Sequence, residues 1–222
     1  MPRGRKEWDP IAERERLDGM WEFERKVAGQ GFRCIAGLDE AGRGPWAGPV
    51  AAAAVVLPPD FYLPGVDDSK KLSEKKRTEL AGAIQKQALD WSVALVAPGK
   101  IDEINILEAT RLAMTRAVET LVQQPDYLLL DAIRLPKVAL PQEDIIKGDQ
   151  KSISIACASI LAKVTRDRVM EQYDVLYPGY GFVKHKGYGT KQHQEALKKW
   201  GVSPIHRRSY RPVREVLEGK ND

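Results

Sequence analysis

Two carboxylates sit side by side where an apolar run meets a glycine turn, in Ile35-Ala36-Gly37-Leu38-Asp39-Glu40-Ala41-Gly42-Arg43-Gly44-Pro45. Asp and Glu are disfavoured in buried strands, and burying them costs free energy unless they are paired or bind a metal. Two further acids occupy comparable places. Asp131 ends the apolar run Tyr127-Leu128-Leu129-Leu130, and Asp149 follows Gly148 just ahead of a long segment with an apolar face. Four carboxylates gathered at one sheet edge could not all stay ionised unaided. A divalent cation relieves the repulsion, and oxygen-only ligands favour Mg²⁺ or Mn²⁺ over zinc. Two such ions about 3.5–4 Å apart serve in-line phosphoryl chemistry, one activating water and the other stabilising the leaving oxygen. Taken singly, Asp149 reads as a helix-start acid and Asp131 equally as a turn former or a site acid, while the place of Asp39-Glu40 after an apolar strand argues against a solvated turn. It is the set that points to chemistry.

The elements that must position these acids follow from periodicity and punctuation. A helix is expected from about Pro10 to Ala28, amphipathic through Trp21, Phe23 and Val27, with Gly29-Gln30-Gly31 as its joint. Residues 33–39 and Pro49–Leu57 read as strands joined antiparallel through the turn Gly42–Gly48. Ser73 is a good N-cap for a helix to about Ala88, and Trp91–Val96 reads as a third strand. Asp102–Val122 reads as helix broken near Asn105. Tyr127–Leu130 fits a central strand buried on both faces, and Asp144–Lys147 a short further strand. A helix spans Lys151–Tyr173, Pro178–Gly189 is a loop, and Thr190–Trp200 is helical ahead of a basic tail. The order of strands and helices argues for α/β with a mixed sheet. If the strands ending at Asp39 and Asp131 are neighbours, those acids meet.

At 222 residues, with 43% hydrophobic and 30% charged residues, the chain can bury one good-sized core. Its formal net charge is +4, but the basic residues are unevenly spread. Between Lys184 and Arg214 stand nine Lys/Arg against one acid, Glu195, together with His185, His193 and His206. That is either a polyanion-binding face or a solvated basic surface. Cys34 and Cys157 lack metal-ligand spacing and read as small core residues in a reducing compartment. Residues 1–30 carry no apolar leader run, and Val50–Leu57 is too short to span a membrane, so a cytoplasmic location is expected. Gly42-x-Gly44-x-x-Ala47 fits a dinucleotide fingerprint formally, but Pro45, Pro49 and the strand that follows exclude the necessary helix. Ser73-x-x-Lys76 sits on a charged helix start and carries no nucleophile argument.

From about residue 33 to 213 the chain resembles ribonuclease HII, the type 2 ribonuclease H. The blocks that carry the resemblance are GLDEAGRGPWAGPV (37–50), DDSKKLSEKKR (67–77), NILEATRLAM (105–114), LLLDAIRLP (128–136), IIKGDQKSISIACASILAKVTRDRVM (145–170) and YGFVKHKGYGT (180–190). The resemblance implies a ribonuclease H-like mixed β-sheet flanked by helices, with a helical C-terminal extension from about residue 178. Residues 1–30 then form an N-terminal helical extension and 31–222 the catalytic domain. It implies that Asp39, Glu40, Asp131 and Asp149 are the catalytic, metal-binding acids. The fourth acid is Asp149 rather than the Glu of type 3 enzymes, which favours type 2.

The same resemblance implies that the main chain of Gly42-Arg43-Gly44 reads a ribose 2′-hydroxyl, the group that separates RNA from DNA. Arg43 is then also a phosphate contact, and Tyr188 stacks on the sugar of the deoxynucleotide beside the ribonucleotide. Ser69, Lys70, Lys163 and Arg166 match blocks expected near the duplex backbone, while Asp68 and Asp167 read as partners of neighbouring bases. Trp46, where a smaller aliphatic residue is common, is expected to alter packing beside the turn. The activity implied is metal-dependent endonucleolytic hydrolysis, with Mg²⁺ or Mn²⁺, of RNA in RNA/DNA hybrids and of single ribonucleotides in duplex DNA. A monomer is expected, with any replication or transcription partner open. A non-catalytic hybrid-binding module on this fold is the rival, opposed by the presence of all four acids. A DNA-junction resolvase is the second, opposed by Gly42-Arg43-Gly44 and Tyr188.

Overall fold

The structure is a computed structural model describing residues 9–219; positions 1–8 of the expected N-terminal extension lie outside the described residues. Five strands form one mixed sheet in the order β3-β2-β1-β4-β5. They are β1 (Ile35–Ala41), β2 (Val50–Val56), β3 (Asp90–Val96), β4 (Tyr127–Asp131) and β5 (Gln142–Ile145). The β1–β2 and β2–β3 pairs are antiparallel, whereas β1–β4 and β4–β5 are parallel. The N-terminal residues form α1 (Pro10–Gly19) and α2 (Glu22–Gly29), followed by α3 (Glu74–Gln87) and α4 (Pro98–Thr120). The long α5 (Ile153–Leu176), then α6 (Phe182–His185), α7 (Lys191–Trp200) and α8 (Arg211–Leu217), follow among the described residues.

Strand alternation divides the core. Ala36, Leu38, Ala52 and Ala54 face α4 and pack with Ala113, Met114 and Ala117. Ala53 and Val55 face the opposite side and pack with Leu17, Leu80, Ile84, Cys157 and Leu161 of α1, α3 and α5. A Cβ on Gly37 would come within 2.4 Å of the Ser154 side chain, so glycine there is what brings α5 close to β1. β1 is therefore held by neighbours on both edges and by helices on both faces.

The expected single helix over residues 10–28 is two. Gly19 weakens the helix, and Met20 turns inward, where its carbonyl accepts the Ile153 N–H at 2.9 Å. Leu17 and Met20 then pack beside α5, while Val27 packs with Leu129 and Ile155. Buried Glu24 accepts hydrogen bonds from the Ser152 and Ser154 hydroxyls, both 2.6 Å, so the N-terminal helices are tied to the start of α5. α4 does break at Asn105, whose φ is 65°, and the Asn105 carboxamide caps the second segment through the Leu107 and Glu108 N–H groups. The short strand lies at Gln142–Ile145 rather than 144–147, because the Gln142 carboxamide bonds to Leu135 and Val138 across the preceding loop. Part of the loop 178–189 is the single helical turn α6. Cys157 is fully buried and Cys34 half-buried, both as free thiols. No helix among the described residues is long and apolar enough to cross a membrane.

Candidate active site

The parallel register pairs Leu38 with Leu130, and the next step along both strands sets Asp39 beside Asp131. Asp149 arrives from a short turn of tighter helix, Gly148–Gln150, between β5 and α5. Asp39, Asp131 and Asp149 each offer a carboxylate oxygen within 4.8 Å of the others. Glu40 lies outside that group, because adjacent strand residues point to opposite faces. Its carboxylate instead stands 3.8 Å from the Arg43 guanidinium. The sheet thus gathers three of the four acids tightly and sets Glu40 at their flank.

Hydrogen bonds fix the acids individually. Asp131 Oδ1 accepts the Gly148 N–H at 2.7 Å, and Asp39 Oδ1 accepts the Glu40 N–H at 2.7 Å. The Lys70 ammonium lies 3.3 Å from Asp149 Oδ2. Ala132 and Lys147, flanking the acids, both hold positive φ (54° and 58°). Backbone strain of this kind costs about 1–2 kcal/mol per residue and concentrates at functional sites.

Burial, then the Glu40 and Asp131 carboxylates, hold Asp39 well above the usual carboxylate range. Burial raises Glu40 to about 7, with Arg43 opposing and Asp131 adding to the shift. Burial, Asp131 and Asp68 raise Asp149 against the pull of Lys70. Asp39 Oδ2 and Glu40 Oε2 are buried and accept no hydrogen bond among the described residues. Buried, unpartnered anionic oxygens beside two more carboxylates are what a divalent cation satisfies. The residues present fit such a metal: Asp39, Asp131 and Asp149 would hold it, with Glu40 at its side.

The glycine turn stands beside this group. Gly42 has φ 95°, and a Cβ there would fall 2.0 Å from the Arg166 Nε, so only glycine fits. Arg43 and Gly44 are exposed, and a Cβ on Gly44 would lie 3.7 Å from the Tyr188 ring. Tyr188, 45% exposed, is therefore brought to the turn from 144 positions further along the sequence. Trp46 packs under the Tyr188 loop, donating its N–H to the Gly187 carbonyl at 2.8 Å and stacking near His193.

Other expected contacts lie elsewhere. Ser69 is buried, bonded to the Ser159 hydroxyl at 2.8 Å, whereas Lys70 is exposed at the acids. Lys163 is bound to Asp167 at 2.9 Å, and Asp167 also faces Arg77. Arg166 is not a backbone contact: it is 1% exposed and donates to the carbonyls of Pro49, Ala47 and Lys186. The basic C-terminal face is likewise smaller than its charge count. Lys186, Arg207 and the three histidines are buried, leaving Lys184, Lys191, Lys198, Lys199, Arg208, Arg211 and Arg214 exposed. Charge counting cannot tell an arginine buried under carbonyls from one in water. Ser159, which lowers the Asp39 carboxyl from within α5, gave no signal in the sequence beyond its place in a matching block.

The family model described as ribonuclease HII matches residues 36–213. A ribonuclease HII of Syntrophomonas wolfei is 54% identical over 94% of this chain and 82% of its own length. One of Bacillus pumilus is 58% identical over 89% of this chain and 78% of its own. The ribonuclease H2 of Pyrococcus horikoshii superposes with TM-score 0.71 at 29% identity, covering 84% of this chain and 98% of that one. With the carboxylate group, the glycine turn and these likenesses in place, the chain belongs to the ribonuclease HII family and is an endonuclease of the ribonuclease H type.

Proposed function

We propose that this enzyme hydrolyses the RNA strand of RNA/DNA hybrids and cuts on the 5′ side of single ribonucleotides in duplex DNA. The products are a 3′-hydroxyl and a 5′-phosphate on the ribonucleotide, as removal of RNA primers and misincorporated ribonucleotides requires. The observation that carries the reading is the convergence of Asp39, Asp131 and Asp149 within 4.8 Å, with Asp39 Oδ2 and Glu40 Oε2 unpartnered. Asp39, Asp131 and Asp149 would hold Mg²⁺ or Mn²⁺ there, which would supply an activated water and charge neutralisation at the phosphate.

The chain's own residues do the rest. Asp39, Asp131, Asp149 and Glu40 concentrate negative charge that a cation must balance, and the burial of Asp39 and Asp149 keeps that field strong. Lys70 and Arg43 are exposed cations at the mouth, placed for the phosphates on either side of the cut. Gly44 and Tyr188 together offer a donor main chain and a ring face for a ribose and its neighbouring sugar.

The test is a labelled RNA strand annealed to DNA, incubated with Mg²⁺, with Mn²⁺ and with chelator. Cleavage in either metal, none in chelator, and ends that a DNA polymerase extends directly are expected. Equal cleavage in chelator, or ends blocked by a 3′-phosphate, would overturn the proposal.

A further inference from the structure

The glycine turn is held from beneath by one residue far along the chain. Arg207 is fully buried, and its guanidinium donates to the carbonyls of Gly42 (2.5 Å), Arg43 (2.8 Å) and Gly48 (3.0 Å). The Tyr210 hydroxyl donates to the same Arg43 carbonyl at 2.5 Å and accepts from Arg207 at 2.9 Å. The Arg207 N–H donates to the Trp46 carbonyl at 2.8 Å, and a β-bridge pairs Ala47 with His206. The next residues are pinned to α4, where Asp102 accepts the Arg208 and Ser209 N–H groups, each at 2.9 Å.

Peptide planarity turns these bonds into an aiming device. In a trans peptide the C=O of one residue and the N–H of the next point in opposite directions. Drawing the Gly42 and Arg43 carbonyls inward therefore turns the N–H groups of Arg43 and Gly44 outward. Both residues are exposed, and neither N–H donates a hydrogen bond among the described residues. Two adjacent free donors beside the Tyr188 ring form a small pocket for an acceptor oxygen.

Arg207 is an expensive residue for mere packing. Its guanidinium bonds to three carbonyls and one hydroxyl, and no carboxylate pairs with it among the described residues. Burying a guanidinium with no carboxylate against it is costly, and burial lowers its pKa against the opposing pull of Tyr210 and Asp102. Only its planar fork reaches three carbonyls at once; the lysine ammonium has neither the span nor the fixed angles.

We propose that Arg207, assisted by Tyr210, is the positioning residue for ribose discrimination, aiming the Arg43 and Gly44 N–H groups at the substrate 2′-hydroxyl without touching the substrate. This rests on the functional reading above.

The experiment measures binding, in chelator, of a DNA duplex holding one ribonucleotide and of the all-DNA duplex of the same sequence. It uses the full chain and the variants Arg207→Lys and Tyr210→Phe, with kcat and KM in Mn²⁺ and melting curves alongside. Arg207→Lys is expected to keep all-DNA affinity but lose the preference for the ribonucleotide by about tenfold, the equivalent of one to two hydrogen bonds. Tyr210→Phe is expected to lose about threefold with an unchanged melting curve. Preference retained in Tyr210→Phe, or an Arg207→Lys loss that is equal for both duplexes, would overturn the inference. If Arg207→Lys does not fold, the Tyr210→Phe result decides alone. A parent enzyme with no preference at all would overturn the functional reading, and the inference with it.

Discussion

Oδ1 of Asp131 accepts the main-chain N–H of Gly148 at 2.7 Å, so the acid that ends β4 also fixes the turn that carries Asp149. One side chain thus does two jobs, and substitutions separate them. Asp131→Asn keeps an acceptor for Gly148 and is expected to fold with the parent melting curve. Asp131→Ala releases the turn and should cost about 1–2 kcal/mol in denaturant unfolding. Both should lower kcat by about 10³-fold, the several kcal/mol that a metal ligand contributes. Parent-like kcat in Asp131→Asn would remove Asp131 from the site.

The Asp39 carboxylate is a stability liability in the isolated fold. It is 2% exposed, has an unpartnered oxygen, and is raised by burial and by Glu40 and Asp131. Asp39→Asn should therefore lose activity while gaining about 1 kcal/mol, a rise of about 2–4 °C in melting temperature. Mn²⁺ should raise the melting temperature of the parent by ligand linkage and that of Asp39→Asn far less. Calorimetric scans with and without Mn²⁺ read both effects.

Tyr188 is exposed over the turn, with its ring 5.9 Å from the Arg166 guanidinium. Tyr188→Phe keeps the stacking face and should hold kcat/KM within about twofold. Tyr188→Ala should lose about tenfold or more, the lower range for removing one stacking ring, with melting behaviour nearly unchanged. Equal kinetics for all three proteins would leave Tyr188 a packed loop residue.

The loop that presents Tyr188 rests on three neutral histidines. Ser203 donates its N–H to His206 Nδ1 at 3.0 Å, so the proton of His206 is on Nε2, which donates to His193 Nε2 at 3.0 Å. His193 then carries its proton on Nδ1 and donates to the Tyr188 carbonyl at 3.0 Å. His185 accepts the Gly187 N–H on Nδ1 and stacks on His193 at 4.5 Å. Burial lowers His193 to about 4 and His206 to about 3. In the unfolded chain these groups take up protons near pH 6.5, so between pH 6.5 and about 4 the unfolded state binds more protons. The histidine contribution is then complete above pH 6.5 and falls with acidification, by up to about 1.4 kcal/mol per pH unit for each histidine, while the raised Asp39, Glu40 and Asp149 carboxyls act in the opposite sense. Unfolding titrations of the parent and of His206→Gln isolate the histidine part, because the acids are common to both: from pH 7 to pH 5 the parent should lose more stability, or gain less, than the variant.

Much of this architecture was legible in the chain. The apolar runs ahead of Asp39 and Asp131 name two core strands, and a parallel pairing of those strands puts the acids together. Asn105 marks its own helix break, and Ser73 caps α3 as its type suggests. What was not legible depends on distant packing. The turn at Met20 exists because its carbonyl meets Ile153. Arg166 and Arg207 look like surface charges until the carbonyls above them are placed. Only the family resemblance singles out Tyr188; no local pattern ties it to Gly44.

The most direct measurement uses an end-labelled DNA duplex containing one ribonucleotide, incubated with the parent enzyme and with Asp39→Asn in Mg²⁺, Mn²⁺ and chelator. The expected result is one metal-dependent cut by the parent, on the 5′ side of the ribonucleotide, and none by Asp39→Asn. A cut on the 3′ side, cutting that survives chelator, or full activity in Asp39→Asn would contradict the role assigned to the three clustered acids.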